Sequence, residues 1–241
     1  MSGLTYNAAG NTLLAISDSK EKVFELNMRR IKLKDYTDKV VGSNSDLEDL
    51  VKVDSTLYLL ASAGILYEIP KKRDSIRQYK LALHGKNDFE TVYYDPSINS
   101  LVLLCKTCEH EKGQGYRTAF RFDLTTKTFD STAFYTIKKK EVADVVKDEE
   151  VDFKPSAAAI NPINKRLYIL SSASNLLIIA DNRGKVIEAY DLNPDQFPQA
   201  EGIAFAPNDD MYISNEGKFG AATLKMFPYQ QPKNTTDKKK K

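Results

Sequence analysis

Five short segments of this 241-residue chain open on a residue with a side-chain oxygen: Ser2-Gly-Leu-Thr-Tyr6, Glu48-Asp-Leu-Val-Lys52, Glu90-Thr-Val-Tyr-Tyr94, Ser156-Ala-Ala-Ala-Ile160 and Glu201-Gly-Ile-Ala-Phe205. Asp46 and Asp88 stand two residues ahead of Glu48 and Glu90. If the fold brings these openings together, three carboxylates and two hydroxyls converge. Like charges at close range need a bound cation, a basic neighbour or protonation. Oxygen donors arriving from several directions suit Ca²⁺, which takes roughly six to eight oxygens in loose geometry. Glu48, Glu90 and Glu201, supported by Asp46 and Asp88, are therefore the candidate metal ligands. The same glutamates could instead pair with Lys or Arg or accept backbone N–H groups, and residue types alone leave both readings open.

Other chemistry is weaker. Cys105 and Cys108, the only cysteines, form a single CxxC with His110 as the one nearby helper. A structural zinc needs two more ligands, and no helix follows Cys105 to lower its pKa as in a thioredoxin-like site. The favoured reading is a buried strand-end Cys105 with an incidental Cys108, ahead of a disulfide and of a metal. Gly113-Gln-Gly115 lacks the strand-turn-helix setting of a phosphate cradle. No serine sits in a nucleophile-elbow context, and His84 and His110 are far apart. Asp18, Asp181-Asn-Arg-Gly184 and Asn208-Asp-Asp210 read as hairpin turns. Asn215-Glu-Gly-Lys218 reads as a polar turn that could reach the same place as the glutamates. A catalyst built from this set would have to rely on a metal and on the carboxylates.

The elements that must position these residues repeat. In each opening segment the third residue is apolar (Leu4, Leu50, Val92, Ala158, Ile203), the period of a strand with one buried face. After a turn comes a near-continuous apolar run: Leu13-Leu-Ala-Ile16, Leu57-Tyr-Leu-Leu60, Leu101-Val-Leu-Leu104, Leu167-Tyr-Ile-Leu170 and Met211-Tyr-Ile213. Such runs expect cover on both faces. A third, more polar strand follows in every unit, and a fourth closes most of them at Arg30–Leu33, Tyr79–Leu83, Phe134–Ile137 and Ile187–Tyr190. Four strands in about 45 residues are the dimensions of a propeller blade. The expected fold is an all-β, five-bladed β-propeller with four-stranded antiparallel blades. Its last blade runs out near Tyr229 without a fourth strand. Two insertions lengthen the third unit, Lys106–Tyr116 and Lys138–Val151, the second a short surface helix with Val142, Val145 and Val146 on one side.

Residues 1–229 are expected to form one domain and 230–241 a disordered basic tail. Formal net charge is +2, and the lysines Lys238–Lys241 outweigh it, which leaves a slightly acidic body. A body so evenly charged, without aromatics interleaved with basic residues, argues against nucleic acid as a partner. No run reaches the roughly 20 apolar residues of a membrane span. No apolar leader is visible either, though the chain opens directly on a strand.

Several of these segments together carry a resemblance. Ser2-Gly-Leu-Thr-Tyr-Asn7, Asp46-Leu-Glu48, Asp88-Phe-Glu90, Phe153-Lys-Pro-Ser156, Pro198-Gln-Ala-Glu-Gly-Ile-Ala-Phe-Ala-Pro207 and Met211-Tyr-Ile-Ser-Asn-Glu-Gly-Lys218 resemble the SdiA-regulated proteins of bacteria, especially of Bacteroidota. The resemblance implies a five-bladed propeller with Ca²⁺ in or near its channel. It also implies a periplasmic or cell-surface protein whose signal or lipoprotein leader is presumed removed, so that any membrane attachment runs through that leader alone. Family repeats usually read Glu-Gly at the strand start, whereas this chain reads Glu48-Asp49 and Glu90-Thr91. The expected function is a calcium-binding extracytoplasmic scaffold, monomeric, for an unknown small molecule or protein. The alternatives are a metal-dependent hydrolase or lactonase at the central channel, and an interaction module using the outer edges.

Overall fold

The structure is a computed structural model that describes residues 1–17, 22–29, 32–37, 45–71, 75–217 and 220–231. The lysine tail, Lys218, Asp18 and the start of the fourth strand at Arg30-Ile31 lie outside the described residues. Among the described residues, twenty strands form five antiparallel sheets. The first blade holds β1 (Gly3–Asn7), β2 (Thr12–Ser17), β3 (Lys22–Asn27) and β4 (Lys32–Asp35). The second holds β5 (Leu47–Val53), β6 (Thr56–Ala61), β7 (Ile65–Ile69) and β8 (Arg77–Lys80). In the third, β9 (Asn87–Asp95), β10 (Ser100–Cys108) and β11 (Tyr116–Asp123) are followed by β12 (Thr128–Phe129) and β13 (Tyr135–Lys138), which share the outer edge of β11. The fourth holds β14 (Ala157–Ile160), β15 (Leu167–Ser171), β16 (Leu176–Ala180) and β17 (Val186–Asp191). The fifth has three strands among the described residues, β18 (Ala200–Phe205), β19 (Met211–Asn215) and β20 (Thr223–Phe227).

Side-chain alternation explains why the second strands are apolar throughout. Leu14 and Ile16 enter one interblade core with Leu50, Leu57 and Leu59, while Leu13 and Ala15 enter the opposite one with Ala204 and Tyr212. In the second blade, Leu57 and Leu59 face the first blade and Tyr58 and Leu60 face the third. Each middle strand thus supplies two cores, so neither parity of residue can be polar. Five apolar cores result among the described residues, one between each pair of neighbouring blades. The inner strands succeed one another around the ring as β1, β5, β9, β14 and β18, and β18 lies against β1. The third residues Leu4, Leu50, Val92, Ala158 and Ile203 are all buried, as their period requires. Ring closure between the fifth and first blades rests on the apolar contact of Leu4, Leu13 and Ala15 with Ala204, Ala206 and Tyr212.

Two readings of the third blade change. β10 runs on through Cys108 instead of ending at Leu104, because two register shifts let its pairing with β9 continue. The first three residues of the first insertion, Lys106–Cys108, are therefore strand. The second contains the expected helix, α1 (Lys139–Val146), with Val142 fully buried and Val146 half-buried against the core. Val145 faces outward, because the i,i+4 pair Val142/Val146 holds the inner face and position 145 falls beside it.

Cys105 and Cys108 are joined by a disulfide, against the expectation of an incidental pair. Both are buried in the core between the second and third blades. The bridge spans the bulged end of β10, where a register shift brings together side chains that regular strand geometry would separate. Closing so short a loop stabilises by about 2 kcal/mol on the chain-entropy account. Cys105→Ser/Cys108→Ser is accordingly expected to lower the melting temperature by about 4–8 °C, read by calorimetry. An unchanged midpoint would show the bridge to be thermodynamically idle.

Candidate functional site

Local backbone geometry singles out the glutamates. In the β5/β6 ladder Leu47 pairs with Ala61 and Asp49 with Leu60, so Glu48 is the extra residue of a bulge. In β18/β19 Ala200 pairs with Asn215 and Gly202 with Ser214, which makes Glu201 the extra residue. In β9/β10 Thr91 pairs with Leu104 and Phe89 with Cys105, which does the same for Glu90. Bulges bend a strand and re-aim the side chain of the unpaired residue. Three blades use one device at one position, and the three side chains arrive at one end of the central channel. Each responds to its neighbours' charge. Glu48 is pushed up to about 8 by burial and by repulsion from Glu90, Asp46 and Asp88, against the pull of Lys106. Glu201 is pushed up to about 8 by burial and by Glu216 and Glu90. Burial also raises Glu90, which Lys106 partly offsets.

Lys106 is the component that sequence reasoning missed. Cys105 pairs with Phe89 and Thr107 with Asp88, so Lys106 is itself the extra residue of a second bulge, directly across the hairpin from the bulge at Glu90. The two ejected side chains meet in a salt bridge. Glu90, Asp88 and Glu201 together raise the lysine's pKa despite its partial burial. The signal lay in the sequence: Lys106 stands between the bonded cysteines on the strand that pairs with Glu90. Reading it required the register, and the register required the bulges.

Asp46 and Asp88 occupy equivalent places and accept equivalent bonds. Asp46, with φ 49°, takes a hydroxyl hydrogen bond from Ser62, and Asp88 takes one from Thr107 at 3.3 Å. Both also add negative potential at Glu48. Ser156, at the equivalent position of the fourth blade, spends its hydroxyl on the backbone. Its hydroxyl donates to the Ala200 carbonyl at 2.8 Å and accepts from the Ser172 N–H at 3.2 Å, which clasps the fourth blade to the fifth. Glu216, from the segment after β19, does reach the mouth, since its charge acts on both Glu201 and Glu90.

Glycine after the mouth residue lets neighbouring inner strands approach each other closely. A Cβ at Gly202 would lie 2.2 Å from Ser214 Oγ and 2.8 Å from Leu4 Cβ. In the second blade Asp49 replaces that glycine and does different work. Its fully buried carboxylate accepts the Leu50 N–H and, across the interblade gap, the Val92 N–H, both at 2.8 Å. Burial nevertheless pushes this carboxyl well above the usual range.

Among the described residues, Cys105, His110 and Glu111 are the one group of three potential ligands whose ligand atoms lie within 4.8 Å of one another; the carboxylate oxygens of the mouth stand farther apart than that. All three are already engaged. Cys105 is in the disulfide, His110 Nε2 lies 2.9 Å from Thr118 Oγ1, and Glu111 pairs with Arg117.

Fold and site together define a five-bladed β-propeller whose inner strands carry an acidic cluster at one channel mouth. Within that class the chain belongs to the SdiA-regulated family, whose family model matches residues 1–219. No curated protein matches it in sequence. Among solved structures it is similar to a gluconolactonase from Xanthomonas campestris, with TM-score 0.57, 10% identity, 94% of this chain and 72% of that one. It is similar to a virginiamycin B lyase from Staphylococcus aureus, with TM-score 0.51, 12% identity and 96% and 70% coverage. A chain of the nidogen/laminin complex gives TM-score 0.56, 10% identity and 94% and 79% coverage. At such identities the likeness concerns the fold, which serves enzymes and binding proteins alike.

Proposed function

We propose that the acidic mouth holds a divalent cation, Ca²⁺ by its donor set, and that the protein is an extracytoplasmic binding scaffold for a small molecule or protein. The observation that carries this reading is the gathering of Glu48, Glu90, Glu201 and Glu216 at one mouth with Lys106 as the one lysine or arginine paired into it among the described residues. The donors are all oxygens, which suits a hard cation. Buried oxygens of Gln199, Ser214 and Asn215, which flank Glu201 and Glu216, have no hydrogen-bond partner, so the surroundings have spare acceptor capacity. Glu48, Glu90 and Glu201 would hold the ion, with Asp46 and Asp88 behind them. The Cys105–Cys108 disulfide supports a compartment outside the reducing cytoplasm, periplasm or cell surface.

Adding millimolar CaCl₂ to chelator-treated protein at pH 7.5 is expected to raise the melting temperature, with one ion per chain by calorimetric titration and none bound by Glu48→Gln/Glu201→Gln. An unchanged midpoint together with no heat of binding would remove the cation. The lactonase reading keeps one observation in its favour: carboxyls that titrate near 8 are poised for proton transfer at neutral pH. Hydrolysis of gluconolactone by the calcium-loaded protein above a calcium-only control would turn the scaffold reading into an enzymatic one.

A further inference from the structure

The inner strands that carry the carboxylates at one end line a second feature farther along. Their third to fifth residues surround a cavity of about 300 Å³ with contributions from all five blades. No Lys, Arg, Asp or Glu lines it. Tyr6, Tyr94, Ile160 and Phe205 are half-buried in its wall. The sequence explains why there is space. Where the other blades present Leu4, Leu50, Val92 and Ile203, the fourth presents Ala158, and the next position is Ala159 where three other blades carry Thr5, Val51 and Tyr93. Small side chains in one blade leave room against Tyr94 and Phe205 of the blades on either side. Phe205 is held edge-on by Tyr168, with ring centroids 5.0 Å apart, which keeps one wall stiff. The hydroxyls of Tyr6 and Tyr94 donate to the side-chain oxygens of Asn11 and Asn99. Each therefore keeps acceptor capacity for a ligand N–H or O–H.

We propose that this cavity binds a small uncharged aromatic molecule, a ring of indole or phenol size, between Tyr94 and Phe205 over the alanines of β14. An ion would lose its hydration with no partner in a wall that lacks charge. Apolar cavities of about 150 Å³ take up benzene, and ligand pockets begin near 300 Å³, so the volume admits one or two fused rings. Edge-to-face and offset stacking on tyrosine and phenylalanine favours a flat ring over an alkane of equal area. The inference is independent of the cation at the far mouth.

Because the chain has no tryptophan, indole can be titrated by its own fluorescence. Saturable one-to-one binding is expected in the micromolar to millimolar range. It should weaken about tenfold or more in Ala159→Phe, which fills the space, and in Ile160→Glu, which places a charge at the half-buried wall, with circular dichroism confirming that each variant folds. In crystals soaked with 5-bromoindole, the bromine anomalous peak is expected between Tyr94 and Phe205, a readout that needs no variant. Failure to saturate at millimolar indole, undiminished binding in the folded variants, or a bromine peak elsewhere would each overturn the proposal.

Discussion

Replacing Glu48 and Glu201 together by glutamine is expected to raise the melting temperature of chelator-treated protein at pH 8 by on the order of 10 °C, with the gap closing as the pH falls to 5. The sign follows from linkage. Both carboxyls titrate at about 8 in the folded protein, far above the ordinary value of 4.5. Between those limits the folded state keeps protons that the unfolded chain has released, so the parent protein loses stability as pH rises through the window. Below it both states are protonated, and a neutral carboxyl differs little from an amide. Each unit of displacement corresponds to about 1.4 kcal/mol, and mutual relaxation of the two sites reduces their sum to several kcal/mol. Calcium should reverse the order, since a bound cation favours the ionised carboxylates of the parent and leaves the diamide indifferent. Calorimetry from pH 5 to 9, with and without chelator, measures all four limbs. A parent protein whose midpoint stays flat from pH 5 to 8 would mean that the mouth carboxylates do not repel as their burial implies.

Glu111→Ala is the second substitution with a large expected cost, about 3–5 kcal/mol. Glu111 and Arg117 form a salt bridge at 3.1 Å with side chains 1% and 5% exposed. Glu111 Oε1 also accepts the Thr118 N–H at 2.5 Å, and Arg117 Nε donates to the Phe153 carbonyl at 3.0 Å. This unit ties the turn after β10 and the chain before β14 to β11. Removing the carboxylate leaves a guanidinium in the interior and an amide without its acceptor, and both terms oppose folding. Replacing the pair by Glu111→Leu/Arg117→Met should recover part of the loss, because two apolar side chains leave no buried charge. Urea denaturation of the three proteins gives the comparison. A single variant within 1 kcal/mol of the parent would mean that water or another group satisfies Arg117 when Glu111 is gone.

The repeat was legible because it has a simple physical cause. A blade's second strand feeds two interblade cores, so Leu13–Ile16 and Leu101–Leu104 cannot alternate, whereas the opening strand must bury Leu4 or Val92 and can leave its first residue polar. Those constraints act within a few residues and are written in residue types. The mouth was legible only in part. Glu48, Glu90 and Glu201 stood out because they recur at one position, and Glu216 because it follows a middle strand. Lys106 did not stand out, since its place depends on two facing bulges rather than on its neighbours in the chain. Ser156 stands at the equivalent position of the repeat, but what its hydroxyl bonds was not legible, since its acceptor is a carbonyl of the adjacent blade. The sequence offers no convincing fourth strand for the fifth blade, which has three among the described residues, yet sequence could not say that Leu4 and Leu13 would meet Ala204 and Tyr212 in an apolar contact between the fifth and first blades.

By itself, then, the sequence determined the number of blades, the order of strands within them and the three recurring carboxylates, all of them consequences of hydrophobic period and local turn chemistry. Only the tertiary structure decided that a disulfide spans the end of β10, that Lys106 faces Glu90, and that an alanine-lined cavity opens beside Tyr94 and Phe205. These features depend on distances between residues on different strands and blades. Such distances follow from bulges, registers and ring closure, which no single segment of the chain encodes.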